Sequence, residues 1–150
     1  MAKRRPTLNL FLDSSVLFTA VNSPIGGSSK LFTLPNVKLF VSKVVLHEVE
    51  KNVRKKLANY HLDRFFMLVT RLNIILNEPS ENLVKQAKKV IIEKDAVILA
   101  EVKRSKCDYI ITLDKKDFLQ EKVFKFIKPK KILTPKMFFE MISKAWPFTR

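Results

Sequence analysis

The sequence predicts a three-layer α/β/α fold, in which helices cover both faces of a five-stranded parallel sheet. Five short apolar runs lack the polar alternation of half-exposed strands, which indicates strands buried on both faces. Helical segments separate these runs, and parallel strands need crossover connections of that kind. With 150 residues, of which 47% are hydrophobic, the chain is expected to form one domain over 1–150, with a basic leader at 1–7.

The first apolar run, Leu8–Leu12, leads into a helix that we expect to end near Val21. The segment Ser23–Ser29 follows, and its proline and two adjacent glycines are typical of a loop. At the end of this loop, Ser28 or Ser29 is expected to cap a short helix, because a serine hydroxyl accepts a hydrogen bond from a free N–H of the first turn.

The second strand, Val37–Val41, is followed by Ser42, which is a suitable N-cap for a long helix ending near Leu57. Another helix is expected over Tyr60–Leu72, directly before the third strand, Asn73–Leu76. A strand, a helix and a strand therefore follow one another again, as a parallel sheet requires.

The second half of the chain continues this alternation. The expected elements are helices at about Glu81–Ile92 and Asp95–Lys106, a strand at Asp108–Leu113, a turn at Asp114–Asp117, a helix at Phe118–Phe126, a strand at Lys130–Leu133 and a helix at Pro135–Lys144. The last helix begins with a proline, whose missing N–H costs no hydrogen bond in the first turn.

The charge of the chain is strongly unbalanced, with 29 Lys and Arg against 14 Asp and Glu and a net charge of +15. A folded domain this basic is expected to bind a polyanion. The single cysteine, Cys107, excludes a disulfide framework and a Cys-rich zinc site, and it fits a cytoplasmic location. No apolar run is long enough to cross a membrane, and two adjacent glycines exclude glycine-rich nucleotide loops.

Three aspartates stand at informative positions. Asp13 and Asp114 each follow a predicted strand, so both are expected at the carboxyl edge of the sheet, where open α/β folds bind ligands. Asp95 falls on the apolar face of its helix together with Leu99, whereas Glu101 lies on another face or at the margin. Taken singly, each aspartate also has a purely structural explanation as a helix cap or turn residue.

A fourth acid is expected from the long helix after the second strand. Helical periodicity does not separate Glu48 from Glu50, because they lie at opposite margins of the apolar face. Glu48 is nearer the helix start, which adjoins the carboxyl edge of the sheet, so it is better placed to approach Asp13. Asp117 is a fifth candidate, one short turn beyond the fourth strand.

Converging carboxylates repel one another unless a cation lies among them, and hard oxygen ligands favour Mg²⁺ or Mn²⁺ over zinc. Such a site suits metal-assisted hydrolysis of phosphodiester bonds. Basic surroundings would attract the polyanionic substrate. Lys115 and Lys116, between two of the candidate acids, are placed to bind a phosphate beside the site.

Four segments of the chain resemble those of PIN-domain nucleases, namely LFLDSSVLF, SKVVLHEVEKN, KDAVILAEVKRSKCDYIITLDKKDF and KILTPKMFFE. The specific part is the ordered pair in which DAxIL on a helix precedes an ITLDxxDF strand and turn. The resemblance implies a five-stranded parallel sheet between helices, and Mg²⁺- or Mn²⁺-dependent cleavage of RNA.

The resemblance also implies roles for individual residues. The implied catalytic residues are Asp13, Glu48, Asp95 and Asp114, and the implied metal ligands are Asp13, Asp95, Asp114 and Asp117. The hydroxyls of Ser15 and Thr112 would position water or a carboxylate. Many stand-alone members, including VapC-like proteins, are dimeric toxins of toxin–antitoxin pairs, so by analogy the partners are RNA, a second copy and an antitoxin, with no membrane.

Other functions are compatible with parts of this pattern. A domain that keeps the fold without activity would be an RNA-binding or protein-interaction module. A phosphatase of the haloacid-dehalogenase type fits less well, because it needs a second aspartate where Ser15 stands. The pairs Phe65–Phe66 and Phe138–Phe139 include positions that we expect to be less buried, where an aromatic ring could stack on a base but is more often found covering a neighbouring subunit. The terminal Trp146–Phe148 segment is likewise expected to pack on a neighbour.

Overall fold

The computed structural model describes residues 6–145, and a five-stranded sheet lies at its centre. The strands are β1 (Leu8–Leu12), β2 (Val37–Ser42), β3 (Asn73–Ile75), β4 (Tyr109–Ile111) and β5 (Lys131–Leu133). Their spatial order is β3-β2-β1-β4-β5, and every adjacent pair is parallel. The predicted α/β fold is confirmed, and each strand begins within one residue of its expected start.

Helices occupy both faces of this sheet. They are α1 (Ser14–Asn22), α2 (Gly27–Lys30), α3 (Lys43–Lys56), α4 (Tyr60–Val69), α5 (Glu81–Lys88), α6 (Glu93–Arg104), α7 (Lys115–Phe118), α8 (Glu121–Ile127) and α9 (Pro135–Ala145), with a 3₁₀ turn at Leu31–Thr33. Helices α1, α3 and α4 contact one another, whereas α6 contacts α5 and α8. The chain moves toward one edge of the sheet from β1 to β3 and toward the other edge from β3 to β5. Because crossovers between parallel strands are right-handed, this reversal places the two groups of helices on opposite faces of the sheet.

The loop before α2 departs from expectation. Gly26, not a serine, precedes the helix, and its φ of 102° is one that glycine adopts readily. Ser28 and Ser29 lie inside α2, so their expected role as caps is wrong. The single hydroxyl proton of Ser29 instead points to the carbonyls of Ala20, at 3.2 Å, and Ser23, and this shared hydrogen bond ties α2 to the end of α1.

Helix boundaries differ from expectation more than strand boundaries do. The helix expected to reach Leu72 ends at Val69. The helix expected from Phe118 begins at Glu121, because the segment expected as a turn forms the separate short helix α7. The expected cap at Ser42 is confirmed, since its hydroxyl accepts a 3.2 Å hydrogen bond from the backbone N–H of Val45.

The core lies between the sheet and the two helix layers. The last three residues of β1, Leu10 to Leu12, are fully buried, as expected of the central strand. Within residues 6–145, no helix is both long enough and apolar enough to cross a membrane. The Trp146–Phe148 segment and most of the basic leader lie outside the described residues.

Candidate active site

A cleft opens where β1 and β4 meet, at the carboxyl edge of the sheet. The crossovers on the two sides of this strand pair lie on opposite faces, and such a switch point leaves a crevice between the helix layers. The backbone N–H of Asp13 donates a 3.0 Å hydrogen bond to the carbonyl of Ile111, which joins the two strand ends. The cleft has a volume of about 200 Å³ and is lined by Asp13, Ser14, Ser15, Phe18, Glu48, Asn52, Lys56, Lys94, Asp95 and Asp114.

Two hydroxyl groups hold the carboxylate of Asp13. Ser15 Oγ and Thr112 Oγ1 donate to its Oδ2 at 2.8 Å and 2.9 Å. The same hydroxyls also accept hydrogen bonds, Ser15 from the N–H of Leu113 at 3.0 Å and Thr112 from the N–H of Asp114 at 3.0 Å. Asp13 and the turn after β4 therefore form one hydrogen-bonded unit.

Asp95, Asp114 and Asp117 form a three-carboxylate group beside this unit. One carboxylate oxygen from each lies within 4.8 Å of the others. Asp114 is the N-cap of α7, where its Oδ1 accepts a 3.0 Å hydrogen bond from the N–H of Asp117. The cap brings two of the acids together, and the start of α6 supplies the third. Oxygen atoms at this separation can bind the same cation.

Asp95 is the most deeply buried member of the group, at 7% exposure. Its Oδ2 is buried without a hydrogen-bond partner among the described residues, and the Lys94 ammonium lies 4.0 Å away. Burial raises the pKa of Asp95 from its ordinary 3.8 to about 6, an effect that Lys94 opposes and the carboxylates of Asp13, Asp114 and Asp117 reinforce. A buried oxygen of this kind needs a counter-charge.

The three-carboxylate group fits a hard divalent cation. All its donors are carboxylate oxygens, which Mg²⁺ and Mn²⁺ prefer. A cation bound there would supply the charge that the buried Asp95 oxygen lacks. Asp13 lies in the same cleft, with its Oδ2 held by the two hydroxyls, and it is not a member of this group.

Helix α3 forms the wall of the cleft that lies opposite the three-carboxylate group. Glu48, Asn52 and Lys56 are four residues apart, so they form one row along the helix, and all three line the cleft. Glu48 is exposed. Glu50, which periodicity did not separate from it, accepts a 3.0 Å hydrogen bond from Arg54 and is not among the lining residues.

The basic residues of the cleft differ from those that the sequence singled out. Lys115 and Lys116 are exposed on α7, next to the three-carboxylate group, but do not line the cleft. Asn52, Lys56 and Lys94 do line it. Two features of the sequence could have identified these lining residues: the four-residue spacing of Asn52 and Lys56 from Glu48, and the position of Lys94 next to Asp95. The lysine-rich runs by themselves indicated only exposed helix faces.

A family model described as "PIN domain" matches residues 10–123, which include every acid described above. The chain belongs to the PIN domain family. PIN domains are generally nucleases, and the acidic cleft of this PIN domain lies entirely within the matched residues.

Solved structures share the fold. This PIN domain is similar to the crystal structure of PAE2754 from Pyrobaculum aerophilum, with a TM-score of 0.60 and 14% identity over 91% of this chain and 97% of that one. It is also similar to VapBC-1 from nontypeable Haemophilus influenzae, with a TM-score of 0.52 and 15% identity over 86% of this chain and 99% of that one. Comparison with curated proteins finds no match.

Proposed function

We propose that this PIN domain is a Mg²⁺- or Mn²⁺-dependent endoribonuclease that hydrolyses RNA phosphodiester bonds in the cleft at the β1/β4 edge. The observation that carries the proposal is the carboxylate of Asp95, which has a buried oxygen without a hydrogen-bond partner among the described residues and which groups with the carboxylates of Asp114 and Asp117. A divalent cation at this position satisfies that oxygen and relieves the repulsion among the carboxylates.

The acids divide into two roles. Asp95, Asp114 and Asp117 hold the cation. Asp13 adds its Oδ1 as a further ligand, since this oxygen accepts no hydrogen bond within residues 6–145. When bound, the cation lowers the pKa of a water molecule and stabilises negative charge on the phosphate. Glu48, on the opposite wall, presents a carboxylate that accepts a proton from the attacking water.

Ser15 and Thr112 act through Asp13. Their hydroxyls donate to the same carboxylate oxygen, so they fix its orientation and leave the other oxygen facing a ligand. Groups that orient metal ligands in this way contribute to metal affinity and activity although they do not touch the metal.

The net charge of +15 supports a nucleic-acid substrate. In this proposal the substrate is RNA, the site of action is the cytoplasm, and the exposed ammonium groups of Lys115 and Lys116 bind its phosphates beside the three-carboxylate group. The resemblance of the motifs to PIN-domain ribonucleases favours RNA over DNA.

We further propose that the protein is the toxin of a toxin–antitoxin pair and acts as a homodimer. The structural similarity to VapBC-1 and the VapC-like motifs support the antitoxin partner. Phe66 and Met67, which are 48% and 44% exposed on α4, are the apolar side chains that we assign to the subunit interface.

The test is an incubation of labelled single-stranded RNA with and without Mn²⁺. Asp95→Asn removes a metal ligand, and Asp108→Asn is the matched control, because Asp108 is exposed at the opposite edge of the sheet, before β4. We expect the parent and Asp108→Asn to cleave only with metal, and Asp95→Asn not to cleave. Full cleavage by Asp95→Asn would overturn the site, and tight RNA binding without cleavage in any metal would identify a non-catalytic module.

A further inference from the structure

The proposed hydrolysis leaves one part of the cleft without a role. Three residues with hydrogen-bond donors, Asn52, Lys56 and Lys94, line the cleft together with four acids. The two lysines are exposed and the asparagine is half-buried. A cleft that needed only to hold a cation would gain nothing from ammonium groups, since they compete with the cation for the carboxylates.

The row on α3 extends away from the catalytic carboxylates. Because an α-helix rises about 1.5 Å per residue, Lys56 lies roughly 12 Å along the axis from Glu48, with Asn52 between them. Arg54 is paired with Glu50 on another face of the helix. Among the described residues, Lys56 takes part in no salt bridge, and the Asn52 side chain makes no hydrogen bond. Both are therefore available to a ligand.

Lys94 lies on the other side of the cleft. Its ammonium is 4.0 Å from Asp95 Oδ2, which is an ion pair without a hydrogen bond. The Lys94 side chain is 70% exposed, so its ammonium can bind an anion that enters the cleft.

We propose that Asn52 and Lys56 on α3 form a phosphate-binding wall, that Lys94 faces this wall across the cleft, and that the three residues hold the backbone of a single RNA strand between them. This inference rests on the proposed function. Lys94 binds the phosphate next to the scissile bond, Lys56 binds one further along the strand, and the Asn52 amide donates to a phosphate or sugar oxygen between them.

The first test measures binding alone, in EDTA, so that no cleavage occurs. The affinity of a fluorescein-labelled single-stranded oligoribonucleotide is measured over a series of salt concentrations. Each lost phosphate contact lowers the slope of log K against log salt by about 0.7. We expect that decrease for Lys56→Gln and for Lys94→Gln, and the parent slope for Lys56→Arg. Asn52→Ala removes no charge, so it should lower affinity about fivefold without changing the slope.

The matched control is Lys38→Gln. Lys38 is exposed near the start of β2, at the opposite edge of the sheet, so its replacement changes net charge equally without touching the cleft. If Lys56→Gln and Lys94→Gln have the same slope as Lys38→Gln, the phosphate-binding wall does not exist.

The second test uses cleavage with Mn²⁺. A residue that binds the strand away from the scissile bond contributes equally to ground state and transition state, so Lys56→Gln should raise KM several-fold and leave kcat unchanged. A fall in kcat with constant KM would contradict the inference. If the parent does not cleave RNA at all, the proposed function fails, whereas the binding series still decides whether the wall binds the strand.

Discussion

The Thr112 hydroxyl donates a 2.9 Å hydrogen bond to Oδ2 of Asp13, although the two residues are 99 positions apart in the chain. Thr112 is fully buried and stands at the end of β4, and Asp13 stands at the end of β1. Since the same hydroxyl accepts from the N–H of Asp114, one side chain sets the spacing between two of the acids. The geometry of the site therefore depends on a residue that does not itself line the cleft.

Thr112→Val should lower kcat by about 10- to 100-fold, the usual effect of losing a group that orients a metal ligand. It should also lower the free energy of unfolding by about 1–3 kcal/mol, because the N–H of Asp114 loses its acceptor. Mn²⁺-dependent RNA cleavage and thermal unfolding measure the two effects. Thr112→Ser, which keeps the hydroxyl, should retain most of the activity, and parent kcat in Thr112→Val would show that the hydrogen bond is dispensable.

Asp95→Asn should stabilise the metal-free protein at neutral pH. Because burial raises the pKa of Asp95 to about 6, the folded protein binds this proton more tightly than the unfolded chain, so stability falls as pH rises from about 4 to 6. The substituted amide does not titrate in this range. The difference in free energy of unfolding between Asp95→Asn and the parent should therefore be on the order of 1–2 kcal/mol more favourable to the variant at pH 7.5 than at pH 4. Urea unfolding of both proteins in EDTA at the two pH values measures this difference. If the variant and the parent differ equally at both pH values, the pKa of Asp95 is not raised.

Added Mn²⁺ should raise the melting temperature of the parent and of Asp108→Asn, but not that of Asp95→Asn or Asp114→Asn. A ligand that binds only the folded state stabilises it by about 2.7 kcal/mol at one hundred times its dissociation constant. Thermal unfolding with increasing Mn²⁺ gives this result independently of any RNA. An unchanged shift in both site variants would locate the metal elsewhere.

Glu101→Gln should weaken a second dependence of protein stability on pH, which arises from a residue outside the cleft. Burial raises the pKa of Glu101 from 4.5 to about 7, an effect opposed by Ser42 and Arg104 and reinforced by Glu78, and its Oε1 is buried without a partner among the described residues. The parent should therefore lose stability as pH rises from about 4.5 to 7, whereas the variant should lose on the order of 2 kcal/mol less.

The measurement is urea unfolding of parent and Glu101→Gln between pH 4.5 and 8, in EDTA. Glu93→Gln on the same helix is a suitable control, because Glu93 is exposed. Identical profiles for the parent and Glu101→Gln would mean that Glu101 titrates normally. RNA cleavage by the variant should be retained, since Glu101 does not line the cleft.

Much of the fold was predictable, because buried parallel strands are continuous apolar runs and the acids that end them necessarily share one edge. The burial of Asp95 was predictable from its place in the apolar stripe. The burial of Glu101 was not, since α6 lies between the sheet, α5 and α8 and is buried well beyond one stripe. Periodicity identifies a buried face only where the opposite face meets solvent.

The cleft side chains of α3 were predictable in part. The four-residue spacing places Asn52 and Lys56 in one row with Glu48, but not against any particular neighbour. Only the rotation of α3 on the sheet shows that this row faces Asp13 and Asp95. Periodicity predicts that Val45, Val49 and Val53 face inward, but it does not show which margin of that apolar face lies beside the cleft.

The hydrogen-bonded unit of Asp13, Ser15 and Thr112 has a consequence for synthesis of the protein. A ribosome delivers Asp13 and Glu48 well before Asp95, Thr112 and Asp114. A nascent or prematurely terminated product that stops before Thr112 lacks a hydroxyl that orients Asp13 and lacks two members of the three-carboxylate group, Asp114 and Asp117. Under the proposed function, copies that stop before Thr112 are therefore expected not to cleave the RNA around them.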